Sequence, residues 1–280
     1  MMMAKQGGME DGRRPLVLQG AMTVETQDMV AALTEVQEGP LGHYRCVRGL
    51  LAGYPVIVCE TQWGMANAAA VTALVIERYH PCAVISQGTA GAHNPALHNY
   101  DIVLGARTVN ESAWQSQYAP QGAGIDPRAL KQLGVFAWNE QAGAFTQEVY
   151  HQGDAALLAA AQRGAADYQQ GRVVTGTIGT CDSWNCEVDR ILFLREFYGS
   201  DVEEMESDAV AQICLNFAVP FLALRIVSNS VFQGDEDWDL AVGPVCQQYT
   251  LQVARAYLSQ RGDKQAGTEP VESKGQQANV

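Results

Sequence analysis

The densest chemistry of this chain lies between Asp201 and Asn229. The segment reads as a short strand, an acidic turn, a helix and a buried strand; Met205-Glu206 fall where the helix begins, and Ser228-Asn229 fall where the buried strand ends. In open α/β sheets, ligands bind beyond the carboxyl ends of the strands. A carboxylate is an acceptor at both oxygens, and a Ser-Asn pair adds a hydroxyl and an amide. Such a rim suits a small molecule bearing hydroxyls and a polar ring. Glu25 lies in the first turn of a second predicted helix, a place where the helix dipole favours an acid. The run Ser86-Gln87-Gly88-Thr89-Ala90-Gly91 follows a buried strand, and its glycines let the backbone approach a ligand closely. It is neither the dinucleotide fingerprint nor a nucleotide-phosphate loop.

The elements that must position these groups alternate. Residues 15–19 read as a short apolar strand, and residues 24–33 as a helix. Residues 45–51 and 55–59 read as two strands turned at Gly53. Residues 64–79 carry Met65, Ala68, Ala69, Thr72, Val75, Ile76 and Tyr79 at helical spacing. Strands follow at 83–86, 101–104, 172–178 and 220–227, and helices at 155–163, 188–197 and 242–258. Residues 115–165 give little signal apart from that one helix. Alternating buried strands and helices argue an α/β fold. Residues 1–14 and the apolar-poor segment from 261 to 280 read as flexible tails.

A chain of 280 residues that is 47% hydrophobic has the makings of a substantial core. A net charge of −13 argues against nucleic acid or an anionic membrane surface as partner. Seven cysteines without a CxxC pair read as reduced thiols rather than a zinc or disulfide framework. No stretch reaches the roughly 20 apolar residues of a membrane span, and the start lacks a signal-peptide core. The expectation is a cytoplasmic protein.

The run from Val202 through Ala211, with Val219-Pro220-Phe221 and Arg225-Ile226-Val227-Ser228, resembles the nucleoside phosphorylase/nucleosidase superfamily, and in particular methylthioadenosine/S-adenosylhomocysteine nucleosidases. The resemblance covers roughly residues 15–260. It implies one domain, a three-layer αβα sandwich with a twisted mixed central sheet. It also implies no metal or organic cofactor, a small-molecule purine nucleoside as ligand, and a homodimer. Cleaving an N-glycosidic bond requires a nucleophile at the anomeric carbon, a grip on the sugar hydroxyls, and help for the departing base. Gly20-Ala21-Met22 followed by Glu25 is similar to the family's opening, so Glu25 is implied to activate water. Glu206 is implied to hold the ribose hydroxyls, with Met205 against the sugar and Thr89 near the nucleophile. The segment Gly179 to Asn185 resembles the family loop whose aromatic stacks on the base, which points to Trp184, with backbone groups at Asn185 reading the base edge. Trp238 and Phe232 fall in the segment implied to close over the 5′ substituent.

Asn229 departs from the pattern, because the nucleosidases carry an aspartate after Ser228 that protonates N7 of adenine. An amide has no titratable proton, yet it donates a hydrogen bond. Two readings stand. The substrate is a 6-oxopurine nucleoside, futalosine-like compounds included, whose N7 and O6 one amide serves. Alternatively it is an adenine nucleoside whose proton comes from another acid, with Asp235 and Asp237 as candidates. Asp182 and Asp208 read as supporting residues. Phosphorolysis needs guanidinium donors for a phosphate dianion. Arg13 and Arg14 precede the first strand and Glu25 repels phosphate, so water is preferred. Two rivals remain. One is a non-catalytic binder of the same fold, such as the plant bark storage proteins. The other is a Rossmann-type cofactor enzyme, for which the single Gly20 after the first strand is a poor match.

Overall fold

A computed structural model describes residues 12–124, 126 and 128–266 of the chain. In chain order the elements are β1 (Leu16–Gly20), α1 (Thr23–Ala31), β2 (Thr34–Glu38), β3 (Cys46–Leu51), β4 (Tyr54–Glu60), α2 (Met65–Tyr79), β5 (Ala83–Ala92) and β6 (Ile102–Asn110). Then come β7 (Trp114–Ser116), β8 (Leu130–Gln132), β9 (Val135–Asn139), β10 (Ala144–Glu148), β11 (Tyr150–Gln152), α3 (Ala155–Arg163) and β12 (Val173–Thr180). The chain finishes with α4 (Val188–Tyr198), β13 (Val202–Glu204), α5 (Ser207–Asn216), β14 (Phe221–Asn229) and α6 (Val242–Ala266).

Among the described residues, one mixed sheet of ten strands runs β11-β6-β12-β13-β5-β1-β4-β3-β2, with β14 paired to β5 and β6. Every residue of β1 is buried. Leu16 and Leu18 point into one core with α1, α3 and α6, while Val17 points into the other with α2 and α5. A strand covered on both faces reads as a continuous apolar run for this reason. Helices on both faces make the three-layer sandwich.

The sheet also closes on itself. β5 pairs β14, β14 pairs β6, β6 pairs β12, β12 pairs β13, and β13 returns to β5. This ring depends on the length of β5. Its first half pairs β1 through Leu16 to Gln19, and its end pairs β13 through Gly91 and Ala92. The Gly88–Gly91 run, read from sequence as a loop, is therefore the second half of a strand.

Several boundaries differ from the sequence reading. The 115–165 region holds two hairpins, β7–β8 and β9–β10, before β11 and α3. β2 is fully exposed along its length, so it lacked any apolar alternation to reveal it. α6 continues to Ala266, past the point where a tail was expected. At the other end Arg14 is tied down, donating to His80 O and Pro81 O at 2.8 and 2.6 Å. The rest of the two expected tails, residues 1–11 and 267–280, lies outside the described residues. Among the described residues no helix is long and apolar enough to cross a membrane.

Candidate active site

The carboxyl ends of β1, β5, β13 and β14 meet at one open cleft of about 770 Å³. Glu25, Thr89, Trp184 and Asn185 line it, as do Met205, Glu206, Ser228, Asn229 and Trp238. Strand register explains the convergence. Asn229 of β14 and Glu203 of β13 are both partners of Gly91, one on each side of β5. Residues two apart on a strand share a face, so Thr89 and Gly91 form one row between them, and His93 follows directly after the end of β5. Gly91 leaves that row open, since a Cβ there would sit 3.2 Å from Asn229 Nδ2. The β14 register shifts between Val227 and Asn229, and bulges of this kind re-aim side chains beside sites. Here the bulge turns both Ser228 and Asn229 toward the cleft.

At one end stands Glu25, only 3% exposed. Its Oε2 accepts from Ala21 N at 2.8 Å and Met22 N at 3.3 Å, which caps α1. Its Oε1 accepts from Thr89 N at 3.0 Å and Thr89 Oγ1 at 3.2 Å. Burial pushes its pKa above the usual carboxylate value, and the Thr89 amide and Arg225 guanidinium pull against that rise. Two glycines make the fit possible. A Cβ on Gly88 would meet Glu25 Oε1 at 2.8 Å, and one on Gly20 would meet Glu25 Cβ at 3.0 Å.

Glu206 begins α5, and its Oε1 accepts from Gly64 N at 3.0 Å. Its other oxygen lies 3.7 Å from Arg225 Nη2. Burial and the neighbouring Glu204 carboxylate push its pKa up to about 8, against the pull of Arg225. Arg225, fully buried in the middle of β14, donates from Nε and Nη2 to Glu204 Oε2 at 3.0 and 2.5 Å and from Nη2 to Ser86 Oγ at 3.3 Å. Glu204 in turn accepts from Ser207 N and Glu206 N, which satisfies the open amides at the α5 N-terminus. A buried carboxylate with this many donors is an anchor that fixes where Met205 and Glu206 stand.

At the far end, Ser228 Oγ donates to Asn229 Oδ1 at 2.9 Å. This leaves Asn229 Nδ2 as the group to face a ligand. Trp184 is 54% exposed, and its ring meets Trp238 edge-on at 6.4 Å; Trp238 meets Trp63 edge-on at 6.1 Å. Three indoles thus border the cleft. Asn185 N, expected to read the base edge, instead donates to Glu203 Oε1 at 3.0 Å. That amide is therefore engaged by a carboxylate that itself lines the cleft.

Asp182 caps α2 by accepting from Met65 N at 2.9 Å. Asp208 is buried, accepting from Thr108 Oγ1 at 2.7 Å with His151 Nδ1 at 2.8 Å. Asp235, Asp237 and Phe232 do not line the cleft. Asp235 is bonded to Asn99 and sits in a turn closed on Ser230. The two candidate acids are therefore set aside. Sequence reasoning gave no role to Arg225, Trp63, His93 or Glu203. A cation amid the apolar run of β14 was itself a signal, since a buried charge must be paired. Trp63, His93 and Glu203 reach the cleft through tertiary packing alone.

The model of the phosphorylase superfamily matches residues 15–259. Among similar proteins, a 5′-methylthioadenosine/S-adenosylhomocysteine nucleosidase of Shewanella loihica is 31% identical over 213 residues, 75% of this chain and 84% of that protein. One from Shewanella piezotolerans is 32% identical over the same share of each. In structure, the chain resembles the Neisseria meningitidis 5′-methylthioadenosine/S-adenosylhomocysteine nucleosidase in complex with methylthio-immucillin-A, with a TM-score of 0.67, 21% identity, and coverage of 89% and 100% of the two chains. It also resembles futalosine hydrolase of Helicobacter pylori, with a TM-score of 0.67, 20% identity, and coverage of 88% and 98%. With the fold, the register around Gly91 and these matches together, the chain belongs to the phosphorylase superfamily.

Proposed function

We propose that this protein hydrolyses the N-glycosidic bond of a purine nucleoside of the methylthioadenosine or S-adenosylhomocysteine kind. The observation that carries this reading is the pair Glu25, buried, and Glu206, half-buried, two carboxylates held by backbone amides in one cleft with a base-side amide, Asn229. Glu25 takes the proton of the attacking water while Thr89 holds its other oxygen in place. Glu206 accepts the ribose hydroxyls and Met205 packs on the sugar. Trp184 stacks on the base, and Asn229, oriented by Ser228, donates to N7 as charge builds there. Trp238, backed by Trp63, borders the 5′ substituent.

Water is the nucleophile in this reading because Arg225 is committed to Glu204 and lies amid Glu25, Glu204 and Glu206. One guanidinium among three carboxylates leaves the site unfavourable for a phosphate dianion. No cofactor takes part. The seven cysteines, six of them buried, include no CxxC pair, which suits a reducing cytoplasm. A homodimer through the outer face of α2, where Ala66 and Leu74 are exposed, completes the proposal.

A second reading of the base rests on Glu203. Its carboxylate engages the backbone donor expected to read the base and itself lines the cleft, and a carboxylate accepts from the N1–H of a 6-oxopurine while Asn229 serves N7 and O6. Glu206→Gln tests the common core of both readings. It is expected to lower kcat/KM for base release by about 100-fold or more with an unchanged circular dichroism spectrum. Full turnover in that variant would sink the assignment.

A further inference from the structure

Behind the base end of the cleft lies a buried string of groups that the proposed chemistry does not use. His93 directly follows the last residue of β5, is 1% exposed, and sits between two acids. Its Nδ1 is 2.9 Å from Ser200 Oγ and 3.8 Å from Glu111 Oε1, and its Nε2 is 3.4 Å from Glu203 Oε2. Both oxygens of Glu111 lack a hydrogen-bond partner, as do His93 Nε2 and the neighbouring Tyr198 hydroxyl. So many unpaired buried polar atoms in one place call for an explanation. Space for Glu111 is kept by Gly179, where a Cβ would overlap its carboxyl group. The remaining groups around the string are Cys181 Sγ, 3.5 Å from Glu203, Asn185, which bonds Glu203, and Arg190 and Arg195 of α4.

The three side chains bring one potential ligand atom each within 4.8 Å of one another. The two imidazole nitrogens nevertheless face different carboxylates, Nε2 toward Glu203 and Nδ1, which is bonded to Ser200, toward Glu111, so the ring stands between the two acids. Two buried acids and one imidazole also need a proton to keep buried charge low. Burial raises the Glu111 pKa to about 7, the flanking carboxylates raise that of His93 despite its burial, and His93 and Asn185 lower that of Glu203 despite its burial.

Resting on the nucleosidase reading, we propose that Glu111, His93 and Glu203 form a proton relay that protonates the departing base, the task Asn229 has no proton to perform. Glu203 is the member that meets the base, across Gly91 from Asn229; His93 and Glu111 are positioning residues that supply it. In the step, water oxygen bonds to the anomeric carbon and gives a proton to Glu25. The glycosidic C–N bond breaks, and its electron pair goes to the purine. The six-membered ring takes a proton through Glu203, which is refilled from His93. Glu25 ends with one proton more and the relay with one fewer, and both re-equilibrate with water after the products leave.

The test compares wild type with His93→Gln and Glu111→Gln on methylthioadenosine and on the 4-nitrophenyl glycoside of the same sugar, whose phenolate departs without protonation. His93→Gln should lower kcat on the nucleoside by about 100-fold or more with little change in KM, and lower nitrophenolate release far less. Glu111→Gln, nearly isosteric, removes an anion that favours the imidazolium, so the alkaline limb of its kcat profile should move to lower pH. Equal losses on both substrates, or an alkaline limb unmoved in Glu111→Gln, would overturn the relay. So would preferred release of hypoxanthine from the matching inosine compound with no effect of His93→Gln, which would make Glu203 an acceptor of N1–H. A wild-type protein that cleaves none of these compounds would overturn the nucleosidase reading itself.

Discussion

Three carboxylates, Glu25, Glu204 and Glu206, share the field of one buried guanidinium, Arg225. Glu204 takes most of its hydrogen bonds, so the other two rely on backbone amides and are pushed toward holding protons. A base must be ionised to accept the proton of water. Because burial raises the Glu25 pKa, kcat/KM should rise with pH along a limb lying above 4.5, the ordinary value for a glutamate. Glu25→Gln should cut kcat by about 100- to 10,000-fold and leave KM near its wild-type value; a pH–rate series on both proteins checks this. Glu25 and Glu206 were legible because each sits in a short motif at a helix start. The Glu203 carboxylate was not, since nothing in its neighbours says that it takes Asn185 N. It altered the expected chemistry of the base end, and Asp235 and Asp237 fell away for the same reason: side-chain reach is decided by packing.

The elements hold these groups through strand pairing and two glycines. A methyl group at Gly88 would collide with Glu25 Oε1, and the neighbouring Thr89 amide would move with it. Gly88→Ala should therefore lose most activity with a small change in melting temperature, read by base release beside calorimetry. Elsewhere the fit is purely structural. Asp101 accepts from Arg172 N at 2.7 Å, Arg172 Nη2 at 2.7 Å and His98 N at 3.1 Å, tying the entry of β6 to that of β12. Although burial opposes it, these bonds lower the Asp101 pKa. A lowered folded-state pKa gives stability that is present above the unfolded value and lost as pH falls through the folded one. Asp101→Asn should cost about 1–3 kcal/mol at neutral pH, and melting curves of the two proteins should converge in acid. Helix α3 was legible because its run of alanine and leucine favours helix and Asp154 caps its start. The Gly88–Gly91 strand was not, because glycine and alanine carry no strand signal and β14 supplies the pairing. β7 is exposed along its length and β9 buries only Ala137 of its five residues, so the hairpins of 115–165 print little pattern in the sequence.

At the scale of the molecule, the sandwich follows from strands that face two cores, one with α1, α3 and α6 and one with α2 and α5. That much was readable from alternating apolar runs. The ring closing through β5, β14, β6, β12 and β13 was not, because it depends on which long strand pairs twice along its edge. This closure places Asn229 and Glu203 on either side of Gly91 at one end of the cleft. The measurement that bears most directly on the whole is base release from methylthioadenosine, followed by chromatography, in buffer with and without phosphate. Free adenine and free sugar should appear without phosphate, at a rate that phosphate does not raise, and Glu206→Gln should abolish most of it. Release that requires phosphate, or no release from any purine nucleoside while the folded protein binds it, would contradict hydrolysis as the function.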